Sequence, residues 1–170
     1  GHLNVIVCRR LMLRRDASVG HLNLLRGPVS VFLARKAAIG NRNTVTRAAK
    51  GVSVGPASLR LGVLSKITTS HDVDCTASVL FGDYTTLAGK GSQIWTHGYV
   101  HELEGPGRYR VDGCVTLGDN VYVGSGSIIT GGVSIADGVI VGVGTTVPKN
   151  LIEPGMYVSA GLRKMGRPVD

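Results

Sequence analysis

The chain has 170 residues, 25 of them glycine, with 43% hydrophobic and 18% charged residues; this composition excludes intrinsic disorder and suits one domain with a real core. Aromatics make up only 5%, so the core is aliphatic, and glycine beside Val, Ile and Leu favours short strands and tight turns over a helical bundle. The net charge of +8 is one-sided: residues 1–50 carry ten Lys/Arg against Asp16 alone, whereas residues 51–170 carry nine against ten acids.

Residues 1–18, with Arg9, Arg10, Arg14 and Arg15 around Leu11–Leu13, read either as a short amphipathic helix or as an arm. From Val19 onward aliphatic residues recur every six positions, with interruptions: Val19, Leu25, Val31; then Leu33, Ile39, Val45; then Phe81 and Leu87. Residues 52–80 are poorly phased, and irregular coils or register shifts are expected there. The hexads fail again between Leu87 and Val111. The segment Gln93–Arg110 holds His97, His101 and the only tryptophan, Trp95, and it reads as a coil edge followed by a loop projecting over 98–110. From Val111 the repeat runs without a gap through Leu117, Val123, Ile129, Ile135, Val141 and Val147. The residue after each aliphatic is mostly small, and the fifth position is again mostly aliphatic.

A period of six matches neither an α-helix nor a long strand. It matches short strands with an inward residue at position one, joined by turns, and three such strands close an 18-residue triangular coil. Coils of this kind stack at the ~4.8 Å of strand pairing. The expected fold is therefore all-β, a parallel β-helix shaped as a triangular prism with one projecting loop. Val111, Ile129 and Val147 are expected above one another inside it, as are Leu117 and Ile135. One domain spans 1–170, with a tail at 152–170.

The run Leu117–Val147 resembles the hexapeptide-repeat acyltransferases, Ile94-Trp95-Thr96-His97 resembles the stretch carrying their general base, and Pro154–Arg163 is similar to the segment closing the last coil in the branch acting on surface-polysaccharide sugars. The resemblance covers residues 94–163, with weaker hexads back to Val19. It implies a left-handed coil, a homotrimer with sites between neighbouring prisms, acetyl-CoA as co-substrate, and acetyl transfer to a hydroxyl of a sugar in surface-polysaccharide assembly. An amino-sugar N-acetyltransferase is the alternative. In these terms His97 accepts the acceptor's proton, His101 is the rival base or orients the acceptor, and Glu102 is a candidate to hold the imidazole, with Asp72 behind it. Gly124, Ser125, Gly126, Gly142 and Gly144 let a pantetheine arm approach the main chain, and Lys149, Arg163 and Lys164 are candidates for the coenzyme phosphates. The closing motif departs from the commonest family pattern, reading Gly161-Leu162-Arg163-Lys164.

Two other readings compete. A metal hydrase of the γ-carbonic-anhydrase kind on the same scaffold would need three histidines; His97, His101 and His71 are available, but the offset of 26 positions from 71 to 97 is not a multiple of an 18-residue coil. No metal is expected. The basic first third would otherwise serve binding. Residues 1–50 contain only Phe32 for base stacking, so nucleic acid is not expected, and an anionic membrane bearing lipid-linked sugars suits the charge better. Three widely spaced cysteines point to a reducing compartment, hence the cytoplasm or its membrane face. Cys114 reads as a buried small residue. Trp95 and Tyr99 are either packing groups or a surface on which a sugar stacks.

Overall fold

The computed structural model describes residues 1–49, 51–159 and 161. Among them there are twenty strands and no helix, so no helix is long and apolar enough to cross a membrane. All pairings but one are parallel, and they build a left-handed parallel β-helix with three sides.

Each side is a column of inward residues. On side one Leu33, Leu61, Phe81, Leu117 and Ile135 stack rung on rung. Side two carries Ile39, Ile67, Leu87, Val123 and Val141. Side three carries Leu25, Val45, Val73, Ile94, Ile129 and Val147. All of these are buried. Leu117 over Ile135 and Ile129 over Val147 stand as the hexads anticipate. Val111 does not: its slot belongs to Ile94, and Val111 lies half-exposed on an antiparallel hairpin in which His97–His101 pairs with Arg108–Asp112. That hairpin is the projecting loop.

Length variation is confined almost wholly to one edge. From side one to side two the step is six residues in every coil (Leu33 to Ile39, Leu61 to Ile67, Leu117 to Val123). From side two to side three it is six again, with one step of seven from Leu87 to Ile94. From side three back to side one it varies from six residues (Ile129 to Ile135) through eight (Val73 to Phe81) to twenty-three (Ile94 to Leu117). Two insertions therefore leave the prism at the same edge, one with described residues 47–49 and 51–56 and the other the hairpin. Arg110 reaches from the hairpin to donate a hydrogen bond to the Val52 carbonyl of the other insertion.

Three expectations need correction. Residues 52–80 are not irregular: past the insertion, Leu61, Ile67, Val73 and Val79 are strict hexads, all buried. Residues 1–18 form neither a helix nor an arm, because Val5–Leu13 pairs in parallel with Leu24–Leu33 as the first rung. Cys114 is exposed, and its neighbour Val115 takes the inward position; Cys75 is the buried thiol, its pKa pushed up by burial.

The edge between sides two and three holds a polar spine. Asn23 and Asn43 each accept the backbone N–H of the residue one rung on and donate to a carbonyl of that rung. His71 continues the series, its Nδ1 accepting from the Ser92 N–H, and Ser92 and Ser127 extend it. Every buried side-chain polar atom among the described residues has a partner, which is what burial without a large penalty requires.

Ile129→Ala, a deletion in the middle of the side-three column, is expected to cost about 2–5 kcal/mol in urea unfolding. Val111→Ala on the hairpin is expected to stay within about 0.5 kcal/mol. Equal losses would contradict the assignment of the column.

Candidate active site

The variable edge collects the polar groups. The coil carrying Val73 has no long insertion there, so its short turn forms the floor of a recess between the insertion that follows Thr46 and the hairpin. Asp74 lies on that floor, one rung from Trp95 by register, and is 9% exposed. Its Oδ2 accepts from the Thr96 hydroxyl (2.6 Å), the Thr96 N–H (3.0 Å) and His97 Nδ1 (2.8 Å). Its Oδ1 accepts from the Thr76 hydroxyl at 2.8 Å and the Thr76 N–H at 3.2 Å. Burial by itself would raise the carboxyl pKa; the hydrogen bonds from Thr96, His97 and Thr76 outweigh it, and the net direction is down.

An ionised carboxylate only accepts, so the His97 Nδ1 carries the proton in that bond, and it is Nε2 that offers a lone pair in the ring's neutral form. The side chain is 29% exposed. Trp95 and Tyr99 flank it edge-on, with ring centroids 6.2 and 6.3 Å away. Both aromatic side chains are about half-exposed, so neither serves to pack the core. Two clefts of about 490 Å³ meet at His97. One is lined by Arg26, Pro28, Arg47, Ala48, Asp74 and Thr76, the other by Gly98, Val111, Asp112, Thr130, Gly131 and Gly132, and Trp95 borders both. A lone pair held between two clefts by a fixed carboxylate is the geometry of a general base.

The other sequence candidates sit elsewhere. His101 is four residues along the same strand, roughly 13 Å away at the usual rise per residue, and exposed. Glu102 is exposed at the hairpin turn, where its N–H donates to the Gly107 carbonyl, and it makes no hydrogen bond to His97. The structure does not bring these two to His97; Asp74 holds the imidazole instead. Asp72 is exposed and also makes no bond to it.

Gly124, Ser125, Gly126, Gly142 and Gly144 lie at the edge between sides two and three, so within one prism they are on a different edge from His97. Their glycine identity has a local cause. Gly126 and Gly144 take φ of +67° and +66°, which favours glycine, and a Cβ on Gly142 would come within 2.7 Å of Val158 Cγ1 in the next coil. Lys149 lies at the same edge as His97, two rungs further along, and lines a small cavity with Pro148 and Val158. Arg163 and Lys164 lie outside the described residues. His71 faces the polar spine, its Nε2 3.0 Å from the Thr68 hydroxyl, so the trio His71, His97 and His101 is not assembled. No group of three metal-ligating side chains occurs among the described residues.

Sequence reasoning missed Asp74, Thr76 and Arg47. The available signal was the hexad Leu61, Ile67, Val73, Val79, which sets Asp74 directly after an inward residue, one rung before His97.

No family model and no curated protein matches this chain. Solved structures do. The polySia-specific acetyltransferase NeuO superposes with a TM-score of 0.61 at 17% identity, covering 99% of this chain and 84% of its own. This chain has a hexapeptide-repeat fold. The polysialic acid O-acetyltransferase OatWY gives 0.53 at 16% identity, over 99% and 94% of the two chains. A hexapeptide-repeat acetyltransferase of Vibrio cholerae O1 biovar eltor, complexed with acetyl coenzyme A, gives 0.54 at 15% identity, over 85% and 67%. At these identities the likeness is one of fold.

Because the Asp74 pKa is lowered on folding, its contribution to stability is fully present above the unfolded carboxyl value of about 4 and is lost as pH falls through the lower folded value. Asp74→Asn is therefore expected to unfold at lower denaturant than the parent at pH 7. The gap should narrow below about pH 4, as read from denaturant midpoints across pH 2.5–7; a constant gap would contradict the assignment.

Proposed function

We propose that the protein transfers an acetyl group from acetyl-CoA to a hydroxyl of a sugar, with His97 as the general base, in the assembly of a surface polysaccharide. The observation that carries this reading is the His97–Asp74 pair at the junction of two clefts. The acetyltransferases sharing the fold support it.

In the proposed reaction the acceptor oxygen attacks the thioester carbonyl while its proton passes to His97 Nε2. The imidazolium that forms is stabilised by the Asp74 carboxylate across the 2.8 Å bond. The tetrahedral oxyanion collapses, the C–S bond breaks, and the proton on Nε2 goes to the departing sulfur. Thr76 and Thr96 keep the carboxylate in place through both proton transfers. The cleft along Gly131 and Gly132 is the side assigned to the thioester; it contains no cation and suits an uncharged pantetheine arm. The glycine turns of the other edge reach such a site only from a neighbouring copy, which accords with a trimer.

His97→Ala is expected to lower kcat by about 10²–10⁴ with the thermal midpoint unchanged within a few degrees. Asp74→Asn should lower kcat through the ring's tautomer, and Glu102→Gln should leave it within about twofold. Activity is read as CoA thiol release with a sugar panel. Retention of more than a few per cent by His97→Ala would move the base to His101.

A further inference from the structure

We infer that the acceptor is anionic, an acidic sugar whose carboxylate docks on Arg26 in the cleft on the early-coil side of His97. This rests on the transferase reading above and specifies its substrate.

Charge is distributed unequally around His97. The cleft toward the early coils is lined by Arg26 and Arg47, with Asp74 as its one acid. Asp74 is occupied by Thr76, Thr96 and His97. A second cleft of about 460 Å³ shares Pro28 and Arg47 with the first and adds Arg9. Across the imidazole, the lining of the cleft along Gly131 and Gly132 has Asp112, which Arg110 neutralises in an ion pair at 2.9 Å, and no free cation.

Arg47 is 7% exposed, and its guanidinium donates only to carbonyls, those of Pro28, Thr76, Val54 and Gly55. These satisfy its hydrogen bonds but do not neutralise it: no carboxylate lies within ion-pair distance among the described residues. A buried cation held by neutral dipoles keeps its field, and a cleft with low-dielectric walls focuses that field on an entering anion. Arg26 is exposed and, among the described residues, equally without a carboxylate partner. It stands in register with Thr46 and, one rung further, Asp74. Two rungs at ~4.8 Å separate Arg26 from the Asp74 row, a span of roughly one sugar ring plus its carboxylate. With the carboxylate forked on Arg26, a ring hydroxyl arrives at His97 Nε2. Guanidinium pairs in this planar two-bond fashion with carboxylate or phosphate alike, so a nucleotide-sugar diphosphate shares the chemistry and is separated by experiment.

The test compares three acceptors with acetyl-CoA: an oligomer of sialic acid (carboxylate), a UDP-hexose (diphosphate) and a neutral maltooligosaccharide. The sialic acid oligomer is expected to show kcat/KM at least tenfold above the neutral sugar. Arg26→Ala should raise its KM about tenfold and collapse that preference, Arg26→Lys should recover part of it, and the KM of acetyl-CoA should not move. Preference for the UDP-hexose with the same Arg26 dependence supports the oxyanion site and assigns it to a diphosphate. Equal use of the neutral sugar, an unchanged KM in Arg26→Ala, or a raised KM for acetyl-CoA overturns the inference, the last by giving the cations to the coenzyme. Calorimetric titration of His97→Ala with the sialic acid oligomer, with and without Arg26→Ala, reads binding without turnover. Arg26-dependent binding there, with no acetyl transfer by the parent protein to any sugar, sinks the transferase reading and spares the anion site; transfer without Arg26-dependent binding does the reverse.

Discussion

Register governs this molecule. The strands of a parallel β-helix coil have no partners within that coil; apart from a few bonds inside turns, the backbone pairs with the rungs on either side, so each inward residue must return to the same column after every turn. Any residue beyond the minimum has to leave the prism at an edge and come back in phase. Here two edges keep their spacing almost without exception, and the third absorbs nearly all the variation in length.

That division of labour positions the site. The two insertions rise from one edge with a single short turn between them, so a recess appears without any wall having been built for it. Its floor is a rigid rung, and the Asp74 carboxylate is locked there by two threonines. The hairpin begins at the residue that must be oriented, His97, so the ring is fixed by the prism while its free nitrogen faces the space between the insertions. Groups placed on a rigid scaffold at a loop boundary in this way need little rearrangement to meet a ligand.

Much of the architecture was legible in the residues. The hexads from Leu117 to Val147 predict the columns directly, because an inward side chain every six residues has no other economical explanation. Val111 was misplaced because a valine at the right phase on a hairpin looks the same as one in a coil; the true partner, Ile94, is displaced by the length of the insertion, and periodicity carries no information about insertion length. The first rung was unreadable for a related reason, since Val5–Leu13 is the end of the stack and exposes much of its apolar surface. His97 stood out as a histidine beside a break in the repeat. Asp74 did not, because its role comes from a neighbour one turn away in space and more than twenty residues away in sequence. Glu102 was the tempting alternative only because it is close along the chain.

The polar spine has one member that titrates. His71 must be neutral to accept the Ser92 N–H on Nδ1, and burial lowers its pKa accordingly. A proton on that nitrogen would set two donors against each other at mid-stack. The stability that a lowered histidine pKa represents is intact above about pH 6.5 and drains away as the solution is acidified toward the folded value. Mild acid therefore weakens the stack at one place, the junction of the rungs that carry His71 and Ser92.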